Sequence, residues 1–63
     1  MAEYEYITGD RAFIVFQNEN HPFELNTVVT ILGKEKNQNW KVTDGKQESI
    51  VSSLDLFPDP TDT

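Results

Sequence analysis

The sequence predicts an all-β domain, and three observations carry this prediction. Val, Ile and Thr together supply fifteen of the 63 residues, whereas Ala occurs only twice. Branching at Cβ restricts side-chain rotation in a helix and favours strands. Residues that break regular structure divide the chain into pieces of about eleven residues, which is typical of small barrels and sandwiches. They are Gly9, Pro22, Gly33, Gly45 and Pro58. The length allows one small core, so we expect a single domain over 1–63, ordered at about 10–58, with flexible acidic termini.

The first predicted strand covers residues 12–16 and is apolar on both faces, so we expect it to be covered on both sides. A long polar loop follows, and Asn26 near its end is expected to take a positive φ. The second predicted strand covers about 27–32 and ends at Gly33. We expect the core to contain alternate residues of these two strands and one residue of a third strand. The predicted core residues are Phe13, Val15, Val29, Ile31 and Val42.

A third strand is predicted at 40–43, followed by the strongest turn signal in the chain, the Asp-Gly pair at 44–45. Two registers are open for this hairpin. A two-residue loop pairs Trp40 with Ser49, whereas a three-residue loop with a glycine bulge puts Ile50 on the face of Trp40. A slip of one residue exchanges the buried and exposed sets.

The segment 50–57 allows two interpretations. Its apolar residues lie at spacings that fit one face of a helix, and they are Ile50, Val51, Leu54 and Phe57. The segment is short and rich in serine, however. We therefore favour a strand through about Ser52, then a single 3-10 turn with Ser52 or Ser53 as its N-cap.

These elements, in this order, resemble the small SH3-like barrels over about residues 10–58. The Phe-Glu-Leu-Asn segment at 23–26 resembles the end of their long first loop, and the Trp-Lys-Val segment at 40–42 resembles their central strand. The Ser-Leu-Asp-Leu segment at 53–56 resembles the 3-10 turn before their last strand. The resemblance implies an SH3-like barrel of about five antiparallel strands.

The chain departs from signalling SH3 domains at two places. Asn39, rather than a second aromatic residue, precedes Trp40, and no tyrosine accompanies the prolines at 57–60. We therefore do not expect it to bind proline-rich peptides. It is more similar to short SH3-like proteins of tailed phages and prophages, which carry a His-x-Phe-x-x-turn-x-x-Val pattern after an apolar strand. The matching residues are His21, Phe23, Asn26 and Val29.

Composition and charge disfavour several classes of function. The chain has 11 acidic and 5 basic residues, a formal net charge of −6, and no cysteine. This charge opposes a phosphate-binding surface, and thiolate metal sites are excluded. The sequence contains no apolar run of about 18 residues and no basic-then-apolar signal peptide. We expect no membrane span, no cofactor, and a cytoplasmic location, in the host cytoplasm for a phage-encoded protein.

Catalytic and metal-binding residues are also not expected. His21 is the only histidine and has no suitable ligands near it in sequence, so we expect it to bond to the backbone of its loop. Ser49, Ser52 and Ser53 lack the strained glycine elbow and the general base that a nucleophile requires. We therefore expect a protein that is not an enzyme.

Protein binding is the predicted function. The bases lie mostly in the middle of the chain and the acids towards its ends, so adjacent ends would form a negative pole that attracts a basic partner. Trp40 is either an interface anchor or a core aromatic. The predicted partner-binding residues are Glu3, Tyr4, Glu5, Tyr6, Trp40 and Asp55. The concrete hypothesis is a phage accessory protein that docks on a host or phage protein.

Two alternatives belong to other classes. The first is a structural component, a monomer or weak homo-oligomer that associates through an exposed sheet edge. The second is a weak nucleic-acid binder that uses Trp40 as a stacking platform. Its cationic residues would be Lys34, Lys36, Lys41 and Lys46.

Overall fold

The computed structural model describes residues 5–17 and 19–59, which form five antiparallel strands in one sheet. The strand order is β4-β3-β2-β1-β5, which is consistent with an SH3-like small β fold. The predicted all-β fold class is confirmed. β4 and β5 are the two edges of the sheet, so the term barrel describes it only approximately. The strands are β1 (Arg11–Ile14), β2 (Val28–Lys34), β3 (Asn39–Thr43), β4 (Glu48–Ser52) and β5 (Leu56–Pro58), and the 3-10 turns are η1 (Lys36–Gln38) and η2 (Ser53–Asp55).

The core lies on one face of this sheet and contains the β2 and β3 residues that the sequence predicts. Val29, Ile31 and Val42 are at most 1% exposed, so their assignment is confirmed. The full set of buried apolar residues is Tyr6, Ala12, Ile14, Phe23, Val29, Ile31, Trp40, Val42, Val51 and Leu56.

The face of β1 that meets the core is the opposite of the predicted one. Ala12 pairs with Val29 and is fully buried, as is Ile14. Successive strand residues point to opposite faces. Phe13 is therefore only half-buried on the outer face, and Val15, beyond the end of the strand, is 46% exposed. The prediction that Phe13 and Val15 belong to the core, and that this strand is covered on both sides, is wrong.

β2 is longer than predicted. It passes through Gly33 to Lys34, with a shift in its pairing to β3 between Ile31 and Gly33. A bulge of this kind adds a residue without ending a strand, and glycine suits it. The expected positive φ of Asn26 is confirmed at 68°.

The β3–β4 hairpin has a four-residue loop, so neither predicted register is correct. Trp40 pairs with Val51, and Ile50 lies on the outer face. The side chain of Asp44 explains the longer loop, because its Oδ1 accepts hydrogen bonds from the backbone N–H of Lys46 at 2.8 Å and of Gln47 at 3.0 Å. These bonds satisfy two backbone donors within the four-residue loop.

The end of the described chain follows the favoured interpretation. β4 ends at Ser52, whose Oγ accepts a hydrogen bond from the N–H of Leu54 at 3.2 Å and so caps η2. Leu56 then begins β5, which pairs with β1. The prediction of a strand followed by a 3-10 turn is confirmed, and the alternative of a C-terminal helix is wrong.

Candidate functional site

An open groove of about 300 Å³ lies between the loop at 15–27, the edge of the β3–β4 hairpin and η2. This volume is at the lower limit for ligand pockets. Because the groove is open to solvent, it suits side chains of a docked segment better than an enclosed small molecule. Its lining residues are Phe16, Asn20, Asn39, Ile50, Ser52, Leu54 and Asp55.

Three of the lining side chains are apolar and exposed. Phe16 is 62% exposed, Ile50 46% and Leu54 79%. Each position has a local cause. Phe16 follows β1 in the loop, Ile50 points outward because Val51 points into the core, and Leu54 lies at the middle of a single 3-10 turn. Clustered apolar residues of this kind, with polar neighbours, are typical of interaction sites.

The polar side of the groove is built around Asp55, which is only 4% exposed although it lines the groove. Its backbone carbonyl accepts a hydrogen bond from the N–H of Val15 at 2.9 Å, which holds η2 against the beginning of the loop. Asp55 therefore lies where η2 meets the loop at 15–27.

His21 lies beneath this junction, and its side chain is fully buried. Its Nδ1 accepts a hydrogen bond from the N–H of Phe23 at 3.2 Å, so the ring proton must be on Nε2. Nε2 lies 3.1 Å from the carbonyl oxygen of Phe16 and 3.7 Å from Oδ2 of Asp55. The prediction that His21 bonds to the backbone of its loop is confirmed.

The charged residues near the groove differ between the elements that form it. The loop at 15–27 and η2 contain Glu19, Glu24 and Asp55, and neither contains Lys or Arg. By contrast, Lys41 on the outer face of the hairpin lies 3.6 Å from Glu48. Among the residues that line the groove, Asp55 alone is charged, and Lys41 pairs with Ile50, another lining residue. Within the described ranges, no three His, Cys, Asp or Glu side chains are placed to hold a metal ion.

The four predicted partner-binding residues that the structure describes do not form one exposed surface. Glu3 and Tyr4 lie outside the described residues. Glu5 is exposed and pairs with Lys34 at 3.1 Å, whereas Asp55 is in the groove. Tyr6 and Trp40 are 4% and 3% exposed, so the alternative interpretation of Trp40 as a core aromatic is confirmed.

The same burial bears on the nucleic-acid alternative. The ring of Trp40 contacts Tyr6 on its edge, and Nζ of Lys34 lies 5.7 Å from its centroid. A base could not stack on a ring that is covered in this way, so the geometry gives this alternative no support.

Sequence reasoning missed Phe16, Ile50 and Leu54 as candidate site residues. One signal was available for Leu54, because a leucine in the middle of a single 3-10 turn has little to pack against. Phe16 and Ile50 carry no such signal, since their exposure depends on where β1 ends and on the register of the hairpin.

No family model, curated protein or solved structure matches the chain. In the described part of the chain, none of the helical segments has the length and hydropathy needed to cross a membrane.

Proposed function

We propose that the chain is a small, acidic, non-catalytic protein-binding module that holds an extended basic segment of a partner protein in the groove. The observation that supports this most directly is the pair of exposed apolar side chains, Phe16 and Leu54, beside the carboxylate of Asp55.

Apolar anchoring is the first part of the proposal. The exposed surfaces of Phe16, Ile50 and Leu54 line one depression, so a partner's apolar side chain inserted there would contact all three. A few such anchors carry most of the binding energy in protein interfaces. The groove also offers the side-chain amide of Asn39 for the backbone of the inserted segment.

Charge selection is the second part. The carboxylate of Asp55 favours a partner segment that carries Lys or Arg, and the net charge of −6 attracts a basic surface over longer distances. Such attraction raises association rates and weakens as salt increases.

The biological setting that we propose is that of a phage accessory protein that docks on a host or phage protein. The partner would have a basic surface of the kind that otherwise holds nucleic acid. Support for this setting comes from the sequence resemblance described above, carried by His21, Phe23, Asn26 and Val29.

A random peptide display library tests the groove directly. We expect selection on the wild-type protein to enrich peptides that combine Lys or Arg with apolar residues. Leu54→Ser removes an apolar anchor, so it should weaken the selected peptides about tenfold or more. Leu25→Ser is the matched control, because Leu25, in the loop at 15–27, is a 51% exposed leucine that does not line the groove.

Equal binding by the Leu54 and Leu25 variants would contradict the groove as the binding site. Enrichment of acidic or uncharged peptides would contradict the proposed partner chemistry. Circular dichroism of both variants confirms that each remains folded.

Self-association is a second candidate, favoured by a different observation. On the outer face, Phe13 pairs with Val28 on one side and with Phe57 on the other, and Phe57 is 57% exposed. The edge of β5 itself is blocked, because Pro58 has no N–H and the N–H of Leu56 bonds to the carbonyl of Ser53. Association on the β5 side of the sheet would therefore use this apolar face rather than the strand edge. Sedimentation velocity over a range of concentrations tests it, and Phe57→Ser should abolish any concentration dependence.

A further inference from the structure

His21 lies beneath the groove and contacts two of the elements that form it, the loop at 15–27 and η2. Its ring bonds to the backbone of Phe16 and Phe23 in the loop, and faces Asp55 in η2. Phe16 and Asp55 both line the groove. Any change in the bonding of this ring therefore acts on groove residues in both elements.

We propose that His21 is a pH-operated latch, whose protonation rearranges the loop at 15–27 around Phe23 and weakens the hold of the groove on basic ligands. The effect on ligands rests on the proposed function, whereas the effect on the loop does not.

Protonation first changes the role of Nδ1 of His21. In the structure this atom accepts a hydrogen bond from the N–H of Phe23, in a buried setting. A protonated ring carries hydrogen on both nitrogens, so Nδ1 can no longer accept. The Phe23 N–H and the new Nδ1–H would then face each other as two donors. A buried donor without an acceptor is costly, so the loop must rearrange around Phe23.

Protonation also changes the interaction of the ring with Asp55. Of the elements packed against the ring, η2 supplies this carboxylate, with Oδ2 at 3.7 Å from Nε2, while the contacting loop residues Phe16 and Phe23 do not titrate. A charged imidazolium would be attracted to the carboxylate. Protonation therefore exchanges a bond within the loop for an ion pair between the loop and η2.

The consequence for a ligand has a definite sign. When the imidazolium neutralises Asp55, the groove keeps its apolar side chains but attracts Lys and Arg less strongly. Protonation of the ring should therefore weaken the binding of basic peptides.

Two-dimensional NMR of the unliganded wild-type protein tests the latch without any partner. The ¹⁵N shifts of the imidazole report protonation of Nδ1 directly as the pH is lowered from about 8 to about 5. We expect the amide signals of Val15, Phe16 and Phe23 to shift with the same midpoint as the ring. Protection of the Phe23 amide against hydrogen exchange, corrected for the intrinsic rate, should fall about tenfold.

Two outcomes overturn the proposal. One is a ring that stays neutral throughout this range. The other is a ring that becomes charged while the three amides keep their shifts and the Phe23 amide keeps its protection against exchange.

Two variants sharpen the test. His21→Gln cannot gain a proton, so the shared transition of the three amides should disappear. Glu24→Gln is the matched control, because it removes an exposed titrating group of the same loop and should leave the transition in place. Should His21→Gln fail to fold, the wild-type titration still decides the question.

The latch and the proposed function fail in different ways. A loop transition without any peptide binding at either pH would leave the latch standing and contradict the groove as a ligand site. Peptide binding that is unchanged by protonation of His21 would contradict the proposed regulation and leave the binding function standing.

Discussion

The rings of Tyr6 and Trp40 contact each other edge to face, with centroids 5.2 Å apart and planes inclined at 81°. This arrangement places the positive edge of one ring against the negative face of the other. It joins the segment before β1 to the beginning of β3, and the two are distant in sequence. Both rings are therefore part of the core, and their substitution should act on folding.

Trp40→Ala is expected to unfold the domain. Truncating a buried aromatic costs about 3–5 kcal/mol, which is as large as the net stability of about 3–5 kcal/mol expected for a core of this size. Thermal unfolding followed by circular dichroism should show no cooperative transition.

Tyr6→Leu is the milder companion variant, since it keeps apolar volume and loses the ring contact. We expect it to lower the free energy of unfolding by about 0.5–1.5 kcal/mol, measured by urea titration of the fluorescence of the single tryptophan. A cooperative transition in Trp40→Ala at the wild-type temperature would show that this ring is not a core element.

Ile14 and Val15 should respond very differently to truncation, although they are neighbours in sequence. Ile14 is fully buried, so Ile14→Ala should cost about 2–5 kcal/mol. Val15 is 46% exposed, so Val15→Ala should change stability by less than about 0.5 kcal/mol. Urea unfolding of both variants distinguishes the two faces. A larger loss of stability for Val15→Ala than for Ile14→Ala would show that the face of β1 with Phe13 and Val15 meets the core, as the sequence pattern first suggested.

The error in β1 shows what a sequence pattern can and cannot decide. In β2 the apolar residues Val29 and Ile31 lie on one face, and the sequence correctly predicts both the strand and the burial of these two residues. In residues 12–16 both faces are apolar, so alternation carries no information about which face is inside. The decision comes from pairing with β2, where Ala12 lies opposite Val29. Such pairing joins residues distant in sequence, and a local pattern does not record it.

The candidate site was harder to predict than the fold for a related reason. Aromatic rings were expected at a binding surface, yet Tyr6 and Trp40 are large apolar groups that a small core uses first. The exposed groove side chains become visible only when the register is known, because Ile50 and Val51 exchange faces with a one-residue slip. The capped turn at η2, by contrast, has a local cause in Ser52 and was predictable.

The acid stability of the hairpin should depend on Asp44. Hydrogen bonds from the backbone N–H of Lys46, and then of Gln47, hold the pKa of this carboxyl below its ordinary value of 3.8. A depressed pKa means that the ionised form stabilises the fold. This contribution is fully present above pH 3.8 and is lost as the pH falls through the lower value in the folded state.

Asp44→Asn isolates this contribution from those of the other acids. Asn keeps an oxygen acceptor for the same two N–H groups but does not titrate. In urea unfolding, we expect wild type to be more stable than Asp44→Asn near neutral pH, with the difference shrinking as the pH falls below 3.8. Asp44→Ala should be less stable than Asp44→Asn at every pH, because it has no acceptor. A wild-type advantage that is constant with pH would contradict the role of the ionised form.

Ser52→Ala should affect both stability and the groove. It removes the acceptor of the Leu54 N–H, and loss of an N-cap costs about 0.5–2 kcal/mol. Ser52→Thr keeps a hydroxyl acceptor and is the matched control. Because the cap also fixes the backbone that carries Leu54, Ser52→Ala should weaken peptides selected on the wild-type groove even below its melting temperature, whereas Ser52→Thr should keep most of their affinity. Equal losses of affinity in the two variants would show that the position of Leu54 does not depend on the cap.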